Sequence, residues 1–192
     1  MARQVLQFRI TSECPILLHS GRTADPRDEF SKKIKVISTK KKKTDADLEE
    51  MSRLEWLASI YMSGGKIVIP GNVWESALVS GAKKLRLGKQ VCSAISVGEN
   101  STLEFDGDNL PLPELWDRDQ NRLTARVRVK GSCVMRTRFK AENWACNLKI
   151  NYDDEQMDAR QIEEILTVCG SQTGLCDWRP KYGRFSVKRI GG

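Results

Sequence analysis

Residues 4–12 alternate: Leu6, Phe8 and Ile10 fall on one side and Val5, Gln7, Arg9 and Thr11 on the other. That is the period of a strand with one face buried. The same period returns three times. Over residues 123–129, Leu123, Ala125, Val127 and Val129 oppose Thr124, Arg126, Arg128 and Lys130. Over 145–152, Leu148, Ile150 and Tyr152 oppose Asn147, Lys149 and Asn151, and over 184–190, Phe185 and Val187 oppose Arg184, Ser186 and Lys188. Strands with one apolar and one polar face belong to an antiparallel sheet covered on one side.

Helical spacing fills the gaps. Residues 45–62 carry Leu48, Met51, Leu54, Leu57 or Trp56, Ile60 and Tyr61 at helical intervals, with Thr44 as N-cap and Asp45 and Asp47 in the first turn. Residues 73–85 offer a small-residue face of Val73, Ala77, Leu78, Gly81 and Ala82 that suits close contact with a sheet. Residues 159–168 turn Ile162, Ile165 and Leu166, then Cys169, toward the sheet. A short strand over 66–69 stops at Pro70, another covers 102–105, and 106–108 form a turn. The run Leu110-Pro111-Leu112-Pro113 is excluded from helix and central-strand interiors, and Leu115-Trp116 anchors its segment. Strands and packing helices in this order predict an α+β fold: a ferredoxin-like, RRM-like antiparallel sheet with helices on one face. A single domain spans 1–192, with a flexible basic insertion at 22–44 and an irregular insertion at 91–119.

The chain has 192 residues, 40% of them hydrophobic, which is enough for a core. Lys and Arg number 32 against 25 Asp and Glu, a net charge of +7 that favours an anionic partner, nucleic acid first. Seven lysines and no acid lie between Ser31 and Thr44, including Lys40, Lys41, Lys42 and Lys43. Such a run is a solvated loop or an arm that orders on phosphate. Arg126, Arg128 and Lys130, with Arg136 and Arg138 on the next strand, form a second cationic set, and an anion over that face would relieve their repulsion. The third is the glycine-rich loop at 170–183, where Arg179, Lys181 and Arg184 accompany Trp178 and Tyr182. Glycines admit a partner's backbone, arginines suit phosphates, and aromatic faces suit unstacked bases.

Six scattered cysteines, Cys14, Cys92, Cys133, Cys146, Cys169 and Cys176, with one histidine, His19, make no metal-ligand pattern and read as reduced thiols, several of them small core residues. No metal or cofactor is expected: there is no triad, P-loop or dinucleotide fingerprint. No apolar run reaches membrane-spanning length, and a strand pattern begins where a leader would stand, so a cytoplasmic protein is expected.

Three segments carry a resemblance. Val5-Leu6-Gln7-Phe8-Arg9-Ile10-Thr11, continuing to Pro15-Ile16-Leu17-Leu18-His19-Ser20-Gly21, resembles the opening strand of the RAMP superfamily of CRISPR proteins. Ile69-Pro70-Gly71-Asn72-Val73-Trp74-Glu75-Ser76-Ala77-Leu78 is similar to the superfamily's strand-to-helix motif, departing from it at Asn72 and Glu75. The 170–185 loop resembles its C-terminal glycine-rich loop. The resemblance implies a backbone subunit of an antiviral-defence effector complex: non-catalytic, homo-oligomeric along a guide RNA or other single strand, gripping phosphates and carrying a thumb-like insertion. Relatives that cleave RNA imply a second reading as a ribonuclease, with His19 as the only histidine to serve, and with Asp25 and Asp28 in the region of a cutting aspartate. A third reading is a structural or adaptor protein of a phage or mobile element, docking through residues 110–116.

Overall fold

The computed structural model describes residues 3–129 and 131–192. In chain order the strands are β1 (Arg3–Ser12), β2 (Ile16–Leu17), β3 (Met62–Ser63), β4 (Lys66–Ile69), β5 (Ile95–Ser96), β6 (Ser101–Thr102), β7 (Glu104–Phe105), β8 (Arg122–Val129), β9 (Ser132–Ala141), β10 (Trp144–Asp153) and β11 (Phe185–Gly191). The helices are α1 (Glu29–Ser38), α2 (Asp45–Ser59), α3 (Gly71–Lys84), α4 (Gly88–Ala94), α5 (Leu112–Asp117) and α6 (Ala159–Val168). The fold is mixed α and β with antiparallel sheets, the α+β class the alternation predicts. The chain forms two compact units: Met1–Ile16, Met62–Asp108 and Glu142–Gly192 make the first, and Leu17–Tyr61 with Asn109–Ala141 the second.

In the first unit the main sheet runs β11-β1-β10-β5, every pair antiparallel, with β7 also on β10. The β1–β10 register sets Leu6 beside Ile150, Phe8 beside Leu148 and Ile10 beside Cys146, and all six are buried. Period 2 therefore delivers one continuous apolar face. Trp74, Ala77, Leu78 and Ala82 of α3 and Ile162, Ile165 and Leu166 of α6 add to the core. Phe185 joins them, 5.6 Å from Trp74 and 6.2 Å from Trp144 between ring centroids. The small-residue face of α3 meets the end of α6 rather than the sheet alone: a Cβ on Gly81 would lie 2.9 Å from that of Cys169. A second small sheet, β3-β4-β6, borders this unit.

In the second unit the sheet order is β2-β9-β8. Thr44 and Asp47 form a reciprocal capping box at the start of α2, as the sequence predicts, but α2 ends at Ser59 rather than near residue 62. Its buried positions include Leu54, Trp56 and Ala58, whereas Leu48 is 44% exposed. Glu55 and Ser59 are buried too, because they finish a strand edge. Thr137 N–H donates to Glu55 Oε2 at 3.0 Å and Phe139 N–H to Ser59 Oγ at 2.9 Å. Two helix side chains one turn apart thus satisfy β9 donors that a neighbouring strand would otherwise take.

Three expectations shift. Residues 22–44 hold a 3₁₀ turn (Arg22–Ala24) and α1, capped by the Asp28 side chain on Phe30 N–H. Phe30, Ile34 and Ile37, half-buried at helical spacing, were hidden among lysines. Residues 91–119 are less irregular than expected, since β5 and β7 pair with β10 and β6 with β4. Pro113 sits in the first turn of α5, where no N–H is needed. Leu115 is buried and Trp116 stacks edge-on to Trp56 at 5.6 Å, which anchors this segment within its own unit.

Candidate nucleic-acid interface

The loop between α6 and β11 is built from close backbone contacts. Past α6 the chain widens into a π turn (Cys169–Thr173). A Cβ on Gly170 would lie 2.2 Å from the Phe185 carbonyl oxygen, and one on Gly183 would lie 2.1 Å from that of Leu175. Gly183 also has φ +74, a conformation that glycine alone adopts freely. These approaches allow a ladder of main-chain bonds. Leu175 N–H donates to Gly183 O at 2.9 Å, Gly183 N–H to Pro15 O at 2.8 Å, and Glu13 N–H to Arg184 O at 2.9 Å. Arg184 N–H donates to Cys14 Sγ at 3.2 Å. The base of the loop is thereby clamped to the turn that follows β1.

The tip carries the chemistry. Tyr182 N–H donates to Trp178 O at 3.2 Å, and the two rings stand 6.0 Å apart. The Lys181 ammonium lies 5.7 Å from the Tyr182 ring centroid. Cys176 (φ 60) and Trp178 (φ 53) adopt the left-handed region, strain that the clamped base sustains. Trp178 and Tyr182 are half-buried, while Arg179, Lys181 and Arg184 are exposed. Among the described residues none of these three cations has a carboxylate within ion-pair distance.

The polar face of the main sheet is the opposite case. Arg9 holds Glu104 through two bonds, at 2.7 and 2.6 Å, and reaches Asn147 at 3.2 Å. Lys149 pairs with Glu99 at 2.7 Å. The hydrogen bonds from Arg9 hold the Glu104 carboxyl below its usual range against the opposing pull of desolvation. Arg9 and Lys149 are thus neutralised by acids of the β5–β7 segment, whereas Lys188, beside Arg9 on β11, has no ion pair among the described residues.

The remaining predicted residues fall in the second unit and divide. β8 and β9 pair with Val129 opposite Ser132, so every pair joins an even-numbered to an odd-numbered residue. Arg126 and Arg128 therefore share a face with Met135 and Cys133, while Arg136 and Arg138 share the other with Ala125 and Leu123. The single cationic face expected across residues 126–138 is split by this register. Nor does β8 adjoin β10, which belongs to the main sheet. Lys130 lies outside the described residues. Arg136 pairs with Glu55. Lys40 pairs with Asp47 at 2.5 Å, and its hydrogen bond holds that carboxyl below the usual range. Lys43 donates to Lys40 O at 3.1 Å, leaving Lys41 and Lys42 exposed on the turn before α2.

The candidate catalytic residues His19 and Asp28 also take part in the fold. His19 is half-buried, and its carbonyl accepts the Tyr61 hydroxyl at 2.8 Å. Asp28 caps α1 and takes Arg22 at 2.9 Å, an interaction that lowers its pKa. Burial pushes the Cys146 and Cys169 thiols up to about 12, which keeps them protonated and unreactive.

Sequence reasoning missed Glu55, Ser59 and the role of Glu75, whose Oε1 accepts Val97 N–H at 2.8 Å. Beside it, a Cβ on Gly71 would lie 2.0 Å from Val97 O. The glycine and the acid of the Pro70-Gly71…Glu75 motif thus serve one close contact between α3 and the chain that links β5 to β6. Among the described residues no helix is long and apolar enough to cross a membrane, and no group of three or more His, Cys, Asp and Glu is placed to hold a metal ion. Compared with known proteins, the chain matches no family model and no curated sequence.

Proposed function

We propose that this protein binds RNA, or another single strand, without cutting it, seating backbone phosphates on the loop between α6 and β11. The observation that carries the reading is the contrast within the first unit. Arg179, Lys181 and Arg184 stand exposed on a clamped loop with no ion pair among the described residues, while the sheet's Arg9 and Lys149 are neutralised. Unpaired cations on rigid backbone, beside Trp178 and Tyr182, are the components of a single-strand site.

The same reading takes the first unit as ferredoxin-like. β1, α3, β5, β10, α6 and β11 follow in the order strand, helix, strand, strand, helix, strand, and the sheet order β11-β1-β10-β5 is fourth, first, third, second. That topology, with the close fit at Gly71 and the clamped C-terminal loop, supports a RAMP-type backbone subunit whose copies assemble along the strand. Exposed β11, where Ile190 is 51% accessible, is the sheet edge open to such a neighbour.

The test is fluorescence anisotropy of labelled single-stranded oligoribonucleotides over a salt series. Binding weakens steeply with salt, and each of Arg179→Ala, Lys181→Ala and Arg184→Ala reduces the slope of log affinity against log salt by about one. Absence of binding in dilute buffer, or a triple variant that binds like the wild type, overturns the proposal.

A further inference from the structure

The outer edge of β10 is paired at its two ends and not between them. β5 meets it at Asn151 and Tyr152 and β7 at Trp144 and Ala145, while the chain between β5 and β7 turns aside so that β6 can pair with β4. Where that chain departs, a cavity of about 440 Å³ opens on the polar face of the main sheet, wholly within the first unit. Gln7 lines it from β1 and Asn147 from β10, and Asn100 and Thr102 line it from the departing segment. Glu99 and Glu104 also border it, and both are taken: Lys149 pairs with Glu99 at 2.7 Å, and Arg9 holds the two oxygens of Glu104. An anion or a cation entering here would have to break one of these pairs, so the cavity suits a neutral ligand.

Its hydrogen-bonding groups, unlike its charges, are unmatched. The side chains of Gln7, Asn100 and Thr102 have no hydrogen-bond partner among the described residues. Asn147 Oδ1 accepts from Arg9 at 3.2 Å, which sets the amide plane and leaves its Nδ2 to donate. A free amide presents one donor beside one acceptor in a single plane. On the edge of a base that a partner reaches beside N7 or C5, adenine alone offers the complement, N6–H beside N7; guanine offers two acceptors and each pyrimidine a single polar group. Adenine repeats the pattern on its other edge, with N6–H beside N1. Gln7 and Asn100 stand on opposite sides of β10, so amides are available for both edges. The volume lies within the range of about 300–1,000 Å³ of small-molecule sites, enough for one nucleoside. We infer that this cavity takes one adenine base of the bound strand, held at its edges by the Gln7 and Asn100 amides with Asn147 as a further donor. The inference rests on the strand-binding function proposed for the α6–β11 loop and goes beyond it, because phosphate contacts carry no sequence information and this subsite does.

The test is anisotropy on the full chain with labelled oligoadenylate, oligocytidylate and oligouridylate of one length, at several salt concentrations. Oligoadenylate binds about 10-fold tighter than the other two, the discrimination of one bidentate amide–base pair. Gln7→Ala is the informative variant, since this exposed side chain holds nothing in the fold. It brings the adenylate preference down to about 2-fold or less and leaves the slope of log affinity against log salt as in the wild type, because no phosphate contact is removed. Asn100→Ala acts in the same way from the other side of β10. Equal affinity for the three oligonucleotides overturns the inference and leaves the loop proposal standing. So does an adenylate preference that Gln7→Ala and Asn100→Ala both leave intact, which would trace to the stacking of adenines within the free strand. Absence of binding by all three in dilute buffer overturns the loop proposal and this inference together.

Discussion

Glu55 on α2 and Arg136 on β9 form an ion pair in which the acid is buried, 3% exposed, and its second oxygen accepts the Thr137 N–H. Removing the carboxylate strands two donors at once. Glu55→Ala therefore destabilises the second unit by about 2–3 kcal/mol, below the full value of a broken buried pair because the Arg136 side chain is a third exposed. Glu55→Gln keeps an acceptor and loses about half as much. Urea denaturation followed by tryptophan fluorescence reads both, since Trp56 is the next residue on the helix. Equal losses from the two variants would show that the charge, and not the hydrogen bonds, carries the contact.

Gly183 accounts for the shape of the proposed strand-binding loop. Alanine there must accept φ +74, which costs a side-chain-bearing residue about 1–2 kcal/mol, and must also push back the Leu175 carbonyl. Gly183→Ala lowers stability by at least about 2 kcal/mol and weakens oligoribonucleotide binding even where the chain remains folded, because the bond to Pro15 O no longer sets the loop base. Unchanged melting and unchanged affinity would mean that the loop is not clamped in solution.

Tyr182 separates stacking from charge. Its ring centroid lies 6.0 Å from that of Trp178 and 5.7 Å from the Lys181 ammonium. Loss of a base-stacking surface costs about 1–3 kcal/mol of binding and leaves the salt slope intact, since no phosphate contact is removed. Tyr182→Ala shows that signature in anisotropy titrations; a changed slope at unchanged low-salt affinity would assign the ring a purely structural role.

Much of this architecture was legible in the chain, and the exceptions share a cause. The period-2 stretches of β1, β8 and β10 and the helix over 159–168 are local patterns, and β4 is bounded by Pro70, so these elements stand where the sequence predicts. Which strands become neighbours is not local. Arg126 and Arg136 share parity in the sequence, yet a turn that places Val129 opposite Ser132 sends them to opposite faces. Composition obscured α1, where three half-buried apolar residues are enough for a helix once Asp28 caps it. Buried polar groups are the least legible: Glu55 and Ser59 look like the solvent side of α2 until the edge of β9 appears beside them. In the candidate interface, by contrast, Arg179, Lys181, Tyr182 and Arg184 could be picked out by residue type, while the reason for the flanking glycines became visible only in the carbonyls they meet.

The Arg9–Glu104 pair gives a pH dependence with a definite sign. The folded state holds the Glu104 pKa below its unfolded value, so the stabilisation is present above the unfolded carboxylate range and is lost as pH falls through the folded value. Both side chains are a third or more exposed, at 33% and 47%, which limits the contribution to under about 1 kcal/mol despite the two-bond geometry. Glu104→Gln is therefore slightly less stable than the wild type near neutral pH and indistinguishable from it in strong acid. A gap that persists in strong acid would trace to packing instead.

Trp74 and Trp144 form a matched comparison. Both are buried and both meet Phe185 edge-on, but Trp144 Nε1 donates to Cys14 O at 3.0 Å while the Trp74 Nε1 has no hydrogen-bond partner among the described residues. Replacing either by Phe removes similar volume. Only Trp144→Phe leaves a carbonyl without its donor, whereas Trp74→Phe removes a donor whose burial was already unfavourable. The first substitution costs about 1–2 kcal/mol more than the second in thermal or urea unfolding. Equal costs would require a partner for the Trp74 indole in solution, such as an ordered water, and hydrogen exchange at that indole N–H would reveal it.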